Sequence, residues 1–399
     1  MKYNILLAMV VFVLACNPEK VIEQNENWYK GNLHTHSLWS DGDDYPEMIM
    51  DWYKNNDYHF VALSDHNILQ EGEKWVKVTK SPMRQKAFDK YQNKYGGDWV
   101  VTREDTAGVE VKLKKLEEYR SLFEETGKFI MMKAEEISSS WDGKPVHVNG
   151  INTSELIGKQ TGNSIAEVMQ SAVNAVLAQR EKTGQPMFPH INHPNFHYAI
   201  TIADMIALEG ERFFEVYNGH PQVNNYGDED HPGTEEIWDR VNLAYINADK
   251  PLLFGIATDD SHNYHTFGSQ FSNTGRGWVM VNADSLNPAS LIGAMEKGDF
   301  YATSGVLLKN ISVTGDGLSF DIIQEEGVKY VTHFIGIKKG MEHSEILAEQ
   351  EGIRGEYNCT GEELFVRAKI ISNKLKFDPF EVGEYEAAWT QPFEVISER

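Results

Sequence analysis

Five short apolar runs in this chain end the same way, and that repetition constrains its fold more than any other feature. "HFVALSDHN", "FIMMKAEEIS", "MFPHINHPN", "RFFEVYNGH" and "LLFGIATDDSH" each read as a buried strand whose C-terminal end carries His, Asp, Glu or Asn. Helix-like stretches lie between them. "VEVKLKKLEEYRSLFEETG" is amphipathic and stops at a glycine, and "SIAEVMQSAVNAVLAQREKTG" has Ser164 as N-cap and Gly184 as stop. Strands alternating with helices predict a parallel α/β architecture. Polar residues at strand C-termini are what the catalytic mouth of an α/β barrel requires, but the spacing here is too irregular for a regular eightfold barrel.

Two stretches stand outside this pattern. Ile5 to Ala15 is an unbroken apolar run behind Lys2, too short to span a bilayer but right for the core of a signal peptide. It ends in "VLAC", which resembles the bacterial lipoprotein processing box. That reading makes residues 1–16 a leader with Cys16 as the lipidated residue, and 17–28 a polar tether. It places the protein in the bacterial cell envelope, anchored to the membrane by lipid. The bland alternative is a secretory signal with a chance cysteine. Beyond about residue 305, β-rich runs such as "YVTHFIGIKKG" and "EELFVRAKIIS" are separated by Gly and charged turns. Residues 306–399 therefore read as a small all-β domain after a large domain over 29–305.

Charge and cysteine content exclude several classes. The net charge of -23 repels phosphate backbones, and the lysines of "VKLKKLEEYR" are offset by glutamates, so no nucleic-acid partner is expected. "IGKQT" lacks the spacing of a phosphate-cradling loop. After loss of the leader only Cys359 remains beside the lipidated Cys16, so neither an intrachain disulfide nor a thiolate metal site is available. Any metal must be held by His, Asp and Glu.

The histidines supply that donor set. On a strand, residues i and i+2 face one side, roughly 6.5–7 Å apart. His34 and His36 have that spacing, with Asp41 five residues on, and Asp260 and His262 repeat it. Between these pairs come His66, Glu136, His147 and His193, each in a strand-end context. One such histidine is ordinarily a structural hydrogen-bonder. Together they point to a site for more than one ion.

Their order, H-x-H, S-D-G, D-H-N, E-E-I-S, H-V-N, H-P and D-D-S-H, resembles the polymerase and histidinol phosphatase (PHP) superfamily over residues 29–305. "GRGWVMVNADSLNPASLIGAMEKGDFYATSGV" is similar to its carbaryl-hydrolase-like branch. The resemblance implies a distorted (β/α)7 barrel with two to three divalent ions at its mouth. It implies His34, His36, Asp41, His66, Glu136, His147, His193, Asp260 and His262 as ligands. Glu136 is preferred to Glu135 because it directly precedes "IS", and His193 to His190 because of "HP". His190, His197 and His220 would then contact ligands or substrate, and Asp65 would orient a ligand or a water. Arg276 would bind an anionic group of the substrate; the alternative is a structural arginine in a Gly turn. Ser261, between two ligands, would face away from them.

Mixed His and carboxylate donors suit Zn, Mn or Fe. Closely spaced ions acidify a water and polarise a phosphoryl or carbonyl oxygen, so no Ser or Cys nucleophile is needed. The first reading is a metal-dependent hydrolase, specifically a phosphoesterase, acting on a small anionic substrate. The second is a lyase or dehydratase on acidic oligosaccharides, with Trp39, Trp75, Trp99 and Trp141 available for sugar stacking. The third is a non-catalytic metal-binding lipoprotein, which the nearly full ligand set disfavours. The long stretch from Asn67 to Gly108 reads as pocket-lining loop, and its Lys74, Lys77 and Arg84 can attract an anion. Sequence leaves the oligomeric state open.

Overall fold

The computed structural model describes residues 27–395, apart from residue 107. The leader, Cys16 and the tether up to residue 26 lie outside the described residues. The chain enters as β1 (Trp28–Asn32), crosses through α1 (Pro46–Asn55) and returns as β2 (Phe60–Leu63), parallel to β1. Pro46 opens α1, where its fixed φ suits the first turn and its missing N–H is no loss. The helix buries Ile49, Met50 and Tyr53.

An excursion follows. It contains β3 (Trp75–Lys77), α2 (Pro82–Tyr95), β4 (Thr102–Asp105) and β5 (Gly108–Lys112). The three strands form their own antiparallel sheet in the order β3-β5-β4. α3 (Leu116–Phe123) then leads to β6 (Ile130–Trp141), parallel to β2. Two expectations are corrected here. The stretch read as loop folds into a helix and part of a small sheet. The helix expected from Val109 starts only at Leu116, because "GVEVK" alternates β-branched and charged residues and is taken up as a strand.

The chain continues through β7 (Lys144–Ile151), α4 (Ile165–Thr183), β8 (Phe188–Ile191), α5 (Ile202–Ile206), β9 (Phe213–Asn218), α6 (Thr234–Asn247) and β10 (Phe254–Thr258). Ser164 caps α4 by accepting the Glu167 N–H at 3.1 Å, and Gly184 ends it in the left-handed region at φ 67°. Next come β11 (Trp278–Asn282), α7 (Pro288–Glu296) and β12 (Phe300–Thr303). Beyond residue 305 the described residues form strands and no helix. These are β13 (Leu308–Thr314), β14 (Gly317–Ile322), β15 (Tyr330–Lys338), β16 (Glu345–Glu351), β17 (Arg354–Asn358), β18 (Glu363–Leu375), β19 (Tyr385–Thr390) and β20 (Phe393–Glu394).

The result is a mixed α/β fold built on one large sheet. Its 14 strands run β10-β9-β8-β7-β6-β2-β1-β11-β12-β19-β18-β15-β16, with β20 paired to β18. β13, β14 and β17 form a separate three-stranded sheet. From β10 to β1 neighbours are parallel, except that β7 runs antiparallel to both β6 and β8. Thr35, just beyond β1, pairs in parallel with Ser261, just beyond β10. The His36 N–H donates to the Ser261 carbonyl at 2.9 Å, and the Asp260 N–H to the His34 carbonyl at 3.0 Å. The two ends of this seven-strand stretch therefore meet, and the six parallel strands direct their C-terminal ends to one side, with β7 reversed among them. Val168, Met169 and Val176 of α4 and Ile237, Trp238 and Val241 of α6 pack on its strands in one buried apolar cluster.

Candidate metal centre

Glu136 lies at the middle of the convergence. It sits within β6, fully buried, where His66 beyond β2 pairs with it in parallel. Its carboxylate is within 2.6 Å of His66 Nδ1, 2.8 Å of His147 Nδ1, 3.4 Å of His36 Nε2 and His193 Nε2, and 3.5 Å of His34 Nε2. His147 comes from β7 because the β6–β7 hairpin sets it opposite Ser138, two residue pairs along the ladder from Glu136 and so on the same face. Glu135, next in sequence, faces the other side and accepts the N–H groups of Ile157 and Gly158, at 2.5 and 3.0 Å.

Asp260 closes the buried side. Its Oδ1 is 3.3 Å from both His34 Nε2 and His36 Nε2. Its neighbour Asp259 turns away to accept the N–H groups of Gly275, Arg276 and Gly277 and the Tyr53 hydroxyl. On the open side Asp41, with 57% of its side chain exposed, lies 3.4 Å from His66 Nε2 and 3.4 Å from His262 Nε2. Three overlapping donor groups result: His34, His36 and Glu136; His66, Glu136 and His147; and His36, Asp41, His66 and His262. A fourth joins His34, His193 and Asp260. The structure thus brings all nine expected ligand residues into one cluster.

The backbone around the cluster is strained where it delivers ligands. His193 and Asp260 hold positive φ, at 21° and 48°. Gly42 is needed after Asp41, since a Cβ there would lie 2.6 Å from the His36 carbonyl oxygen. Asp65 is buried and holds this same turn. It accepts the Ser37 N–H at 2.8 Å, the Ser37 and Ser40 hydroxyls at 2.8 and 2.6 Å, and Gln70 Nε2 at 3.0 Å. It therefore positions the segment from His36 to Asp41.

Electrostatics tie the cluster together. Burial opposes charge on Glu136, yet His66, His147 and His34 hold it well below the usual carboxylate range. Asp260 is likewise held down against burial by His34 and His36. Burial pulls His34 down, but Asp260, Glu215 and Glu136 together lift it well above the ordinary value. His36 is drawn down to about 3, by burial and by the neighbouring charges of His262 and His66.

The donors fit a cation. His34 Nδ1 lies 2.7 Å from Glu215 Oε1, which holds a proton on that nitrogen. Its Nε2 faces Asp260, Glu136 and, at 3.1 Å, His36 Nε2, and the raised affinity of His34 for a second proton shows that this spot favours positive charge. A divalent ion in place of that proton would face the same acceptors and leave His34 neutral, with its Nε2 lone pair as a donor.

Two further expectations fare differently. His190 is fully buried, neither ring nitrogen has a hydrogen-bond partner, and Nε2 lies 3.7 Å from Glu215; burial pulls it down to about 3, so it is neutral. It stands behind His34, in the donor group His34, His190 and Glu215, and is sealed from solvent. Arg276 does not face the site. Its guanidinium is buried and donates to the carbonyls of Asp378, Gly219, Phe271 and Gly268 and to the Asp378 carboxylate. Those acceptors use its donors, so it is the structural arginine of the alternative and not an anion binder. Ser261 does face away, bonded to Tyr264 and Tyr53 hydroxyls at 3.0 and 3.2 Å. His220 is half-buried with its ring 5.6 Å from that of His262, while His197 is exposed. Trp39 is core, with its indole N–H on the Lys114 carbonyl, so it offers no face for sugar stacking; Trp99 is half-buried, with its indole N–H on Glu47 and Lys114 Nζ 4.6 Å from its ring centre.

Glu215 is the residue the sequence reading missed. Fully buried in β9, it accepts from His34 Nδ1 and Thr258 Oγ1 on one oxygen, at 2.7 and 2.8 Å. On the other it accepts from the His193 N–H and Asn218 Nδ2, at 2.7 and 2.8 Å. A glutamate inside the apolar run "RFFEVY" was the available signal, because a buried carboxylate persists only when paired.

No protein-family model matches the chain, and no curated protein sequence does. Among solved structures, it is similar to a two-domain protein from Bacteroides vulgatus containing a predicted PHP-like metal-dependent phosphoesterase. The identity is 12% and the TM-score 0.40, with 93% of this chain and 95% of that one covered. It also aligns with a putative metal-dependent phosphoesterase from Bifidobacterium adolescentis, at 11% identity and TM-score 0.29, over 58% of this chain and 87% of that one. An amidohydrolase from Chromobacterium violaceum aligns at 12% identity and TM-score 0.29, with the same coverage.

Proposed function

We propose that this chain is a metal-dependent hydrolase of the PHP type, acting as a phosphoesterase on a small anionic substrate. The observation that carries the reading is the buried Glu136 carboxylate, shared between donor groups and ringed by five imidazoles. Two to three divalent ions, Zn, Mn or Fe, would match that set, in which Glu136 belongs to two of the donor groups. Bound there, they would supply Lewis acidity toward a phosphoryl oxygen and lower the pKa of a water. The protein's own part is to hold the ligands. Glu215 fixes His34, Asp65 holds the turn bearing His36 and Asp41, and His220 flanks the open side. On this reading the seven-strand stretch is a distorted (β/α)7 barrel, and the β-rich segment after residue 305 a small appended domain. No feature of the site favours elimination over hydrolysis.

The test uses protein lacking residues 1–16. Metal content by mass spectrometry is paired with phosphate release from monoesters and diesters, before and after chelation. Two or three ions with metal-dependent release are expected. A full metal complement with no release from any ester would refute the phosphoesterase. We further propose lipid anchoring in the cell envelope through Cys16. Cys16→Ser should then move active protein from the membrane to the soluble fraction, and retention in the membrane would sink the idea.

A further inference from the structure

Three polar side chains beside the cluster that are not ligand candidates have spent their protons inside the protein. Asn192 Nδ2 donates to Glu136 and Asn149, Asn218 Nδ2 to Glu215 and Asp260, and the Ser40 hydroxyl to Asp65. His220 differs. The Gln222 N–H donates to its Nδ1 at 3.2 Å. A backbone N–H can only donate, so Nδ1 is the bare nitrogen. The ring is then neutral and carries its proton on Nε2. Among the described residues, nothing accepts a hydrogen bond from that Nε2.

The ring also stands at the open side of the metal centre. Its centre is 5.6 Å from the ring of His262 and 5.8 Å from that of Phe196, which in turn lies 5.1 Å from the ring of His193. His220 therefore sits between the segments that carry two ligand candidates. Nδ1, the nitrogen nearer the backbone, is turned to its own loop, which leaves the outer edge of this half-buried ring, with Nε2, for the space between them. The mounting is firm. Asn218 Oδ1 accepts the His220 N–H at 2.8 Å while its Nδ2 reaches Asp260 at 3.1 Å. The Val223 N–H closes a turn on the His220 carbonyl at 3.0 Å, with Pro221 in the second position, which its fixed φ suits. Arg276 holds the neighbouring Gly219 carbonyl at 2.9 Å. Phe196 pairs with Val223, and Asn195 Nδ2 donates to the Asn224 carbonyl at 2.9 Å, so the loop is laced to the one after β8. A donor fixed in advance needs no reorganisation when charge develops in front of it.

We propose that His220 is the site's own hydrogen-bond donor to the reacting group. Its Nε2–H meets a non-bridging phosphoryl oxygen of the substrate on the open side and stabilises the negative charge that builds there. The imidazole stays neutral throughout and gives up no proton. The proposal rests on the hydrolase reading and adds to it a residue that touches substrate without holding metal. Gln222 acts through its backbone, by keeping the ring in the tautomer that can donate.

The test uses the Zn-loaded protein and three variants. His220→Gln puts an amide NH2 near the place of Nε2, His220→Asn puts it near Nδ1, and His220→Leu supplies neither. Calorimetry with inorganic phosphate needs no turnover. His220→Gln should hold phosphate within about threefold of wild type, while His220→Leu and His220→Asn should lose about tenfold or more, at unchanged metal content. On whichever ester turns over, the same two variants should lose about 100-fold in kcat, more than KM rises. Nitrogen NMR of histidine-labelled protein should show one ring, absent from all three variants, protonated at Nε2 and bare at Nδ1. A leucine variant equal to wild type, a glutamine variant as poor as leucine, or a His220 ring protonated at Nδ1 would overturn the proposal. Loss of metal from His220→Leu would overturn it too, by making the residue a support of the ligands. Failure of the ester panel, with phosphate binding kept by glutamine and lost with leucine, would refute the phosphoesterase and leave the donor standing.

Discussion

Glu215→Gln gives the sharpest test of how the cluster is held. The carboxylate receives two donors on each oxygen, and a glutamine offers one oxygen and one NH2. With its oxygen toward His34 and Thr258, the NH2 confronts the His193 N–H, which cannot turn. Asn218 cannot flip cheaply either, because its Oδ1 accepts the His220 N–H at 2.8 Å and its Nδ2 donates to Asp260. With the amide reversed, His34 must move its proton to Nε2 and lose the lone pair aimed at Asp260 and Glu136. Either orientation spoils one ligand-bearing element. Loss of such a supporting partner typically costs about 10–100-fold in metal affinity, or about 1.4–2.7 kcal/mol. Each buried donor left unmatched costs about 1–3 kcal/mol of fold stability besides. The assay is competition for Zn against a chromophoric chelator, with thermal unfolding of the metal-free protein alongside. The expected result is weaker Zn binding by one to two orders of magnitude. A lowered Tm with the Zn dissociation constant unchanged within twofold would refute the reasoning and make Glu215 a packing residue.

Two further outcomes concern stability. Arg367 is buried, bidentate to Asp239 at 2.7 and 2.9 Å and bonded to Glu235 at 3.1 Å, so it ties β18 to α6. Asp239→Ala leaves most of that charge unpaired and should cost about 3–5 kcal/mol in urea unfolding; a loss under 1 kcal/mol would contradict the tie. Glu211, buried under the Tyr245 hydroxyl that donates to it, is pushed up to about 7, chiefly by burial. Its folded form therefore binds a proton that the unfolded chain releases at about 4.3. Its contribution is complete below that value and is lost as pH rises through 7. Glu211→Gln should flatten the fall in stability between about pH 5 and 8, by up to about 3 kcal/mol at the upper end; an unchanged pH slope would refute the assignment.

Much of the site was legible because it is local. His34 with His36, and Asp260 with His262, declare a shared face by spacing alone, and "SDG" requires its glycine for a close approach that the structure shows at Gly42. Strand ends carrying polar residues similarly marked β2, β6, β8, β9 and β10. What stayed hidden depends on neighbours far away in sequence. Glu215 reads as one acid in an apolar strand until β1 brings His34 against it. Arg276 reads as a free cation beside glycines until carbonyls from residues 219 to 378 close around it. The excursion after β2 reads as loop because three short strands without long apolar runs become a sheet only through each other. The reversal of β7 is invisible to periodicity, since strand direction leaves no mark on it.

The pairing of β12 with β19 bears on the order of assembly. Thr303 meets Ala388 there, and the adjoining strand β18 extends the same sheet. Until residues 385–390 have emerged from the ribosome, the edge of β12 is an open template within the very sheet that carries the ligands. Non-local closure of this kind is slow and exposes a strand to wrong partners while it waits. The nascent protein thus needs its metal-bearing half kept from premature pairing. A chain stalled before β19 is expected to aggregate through that edge.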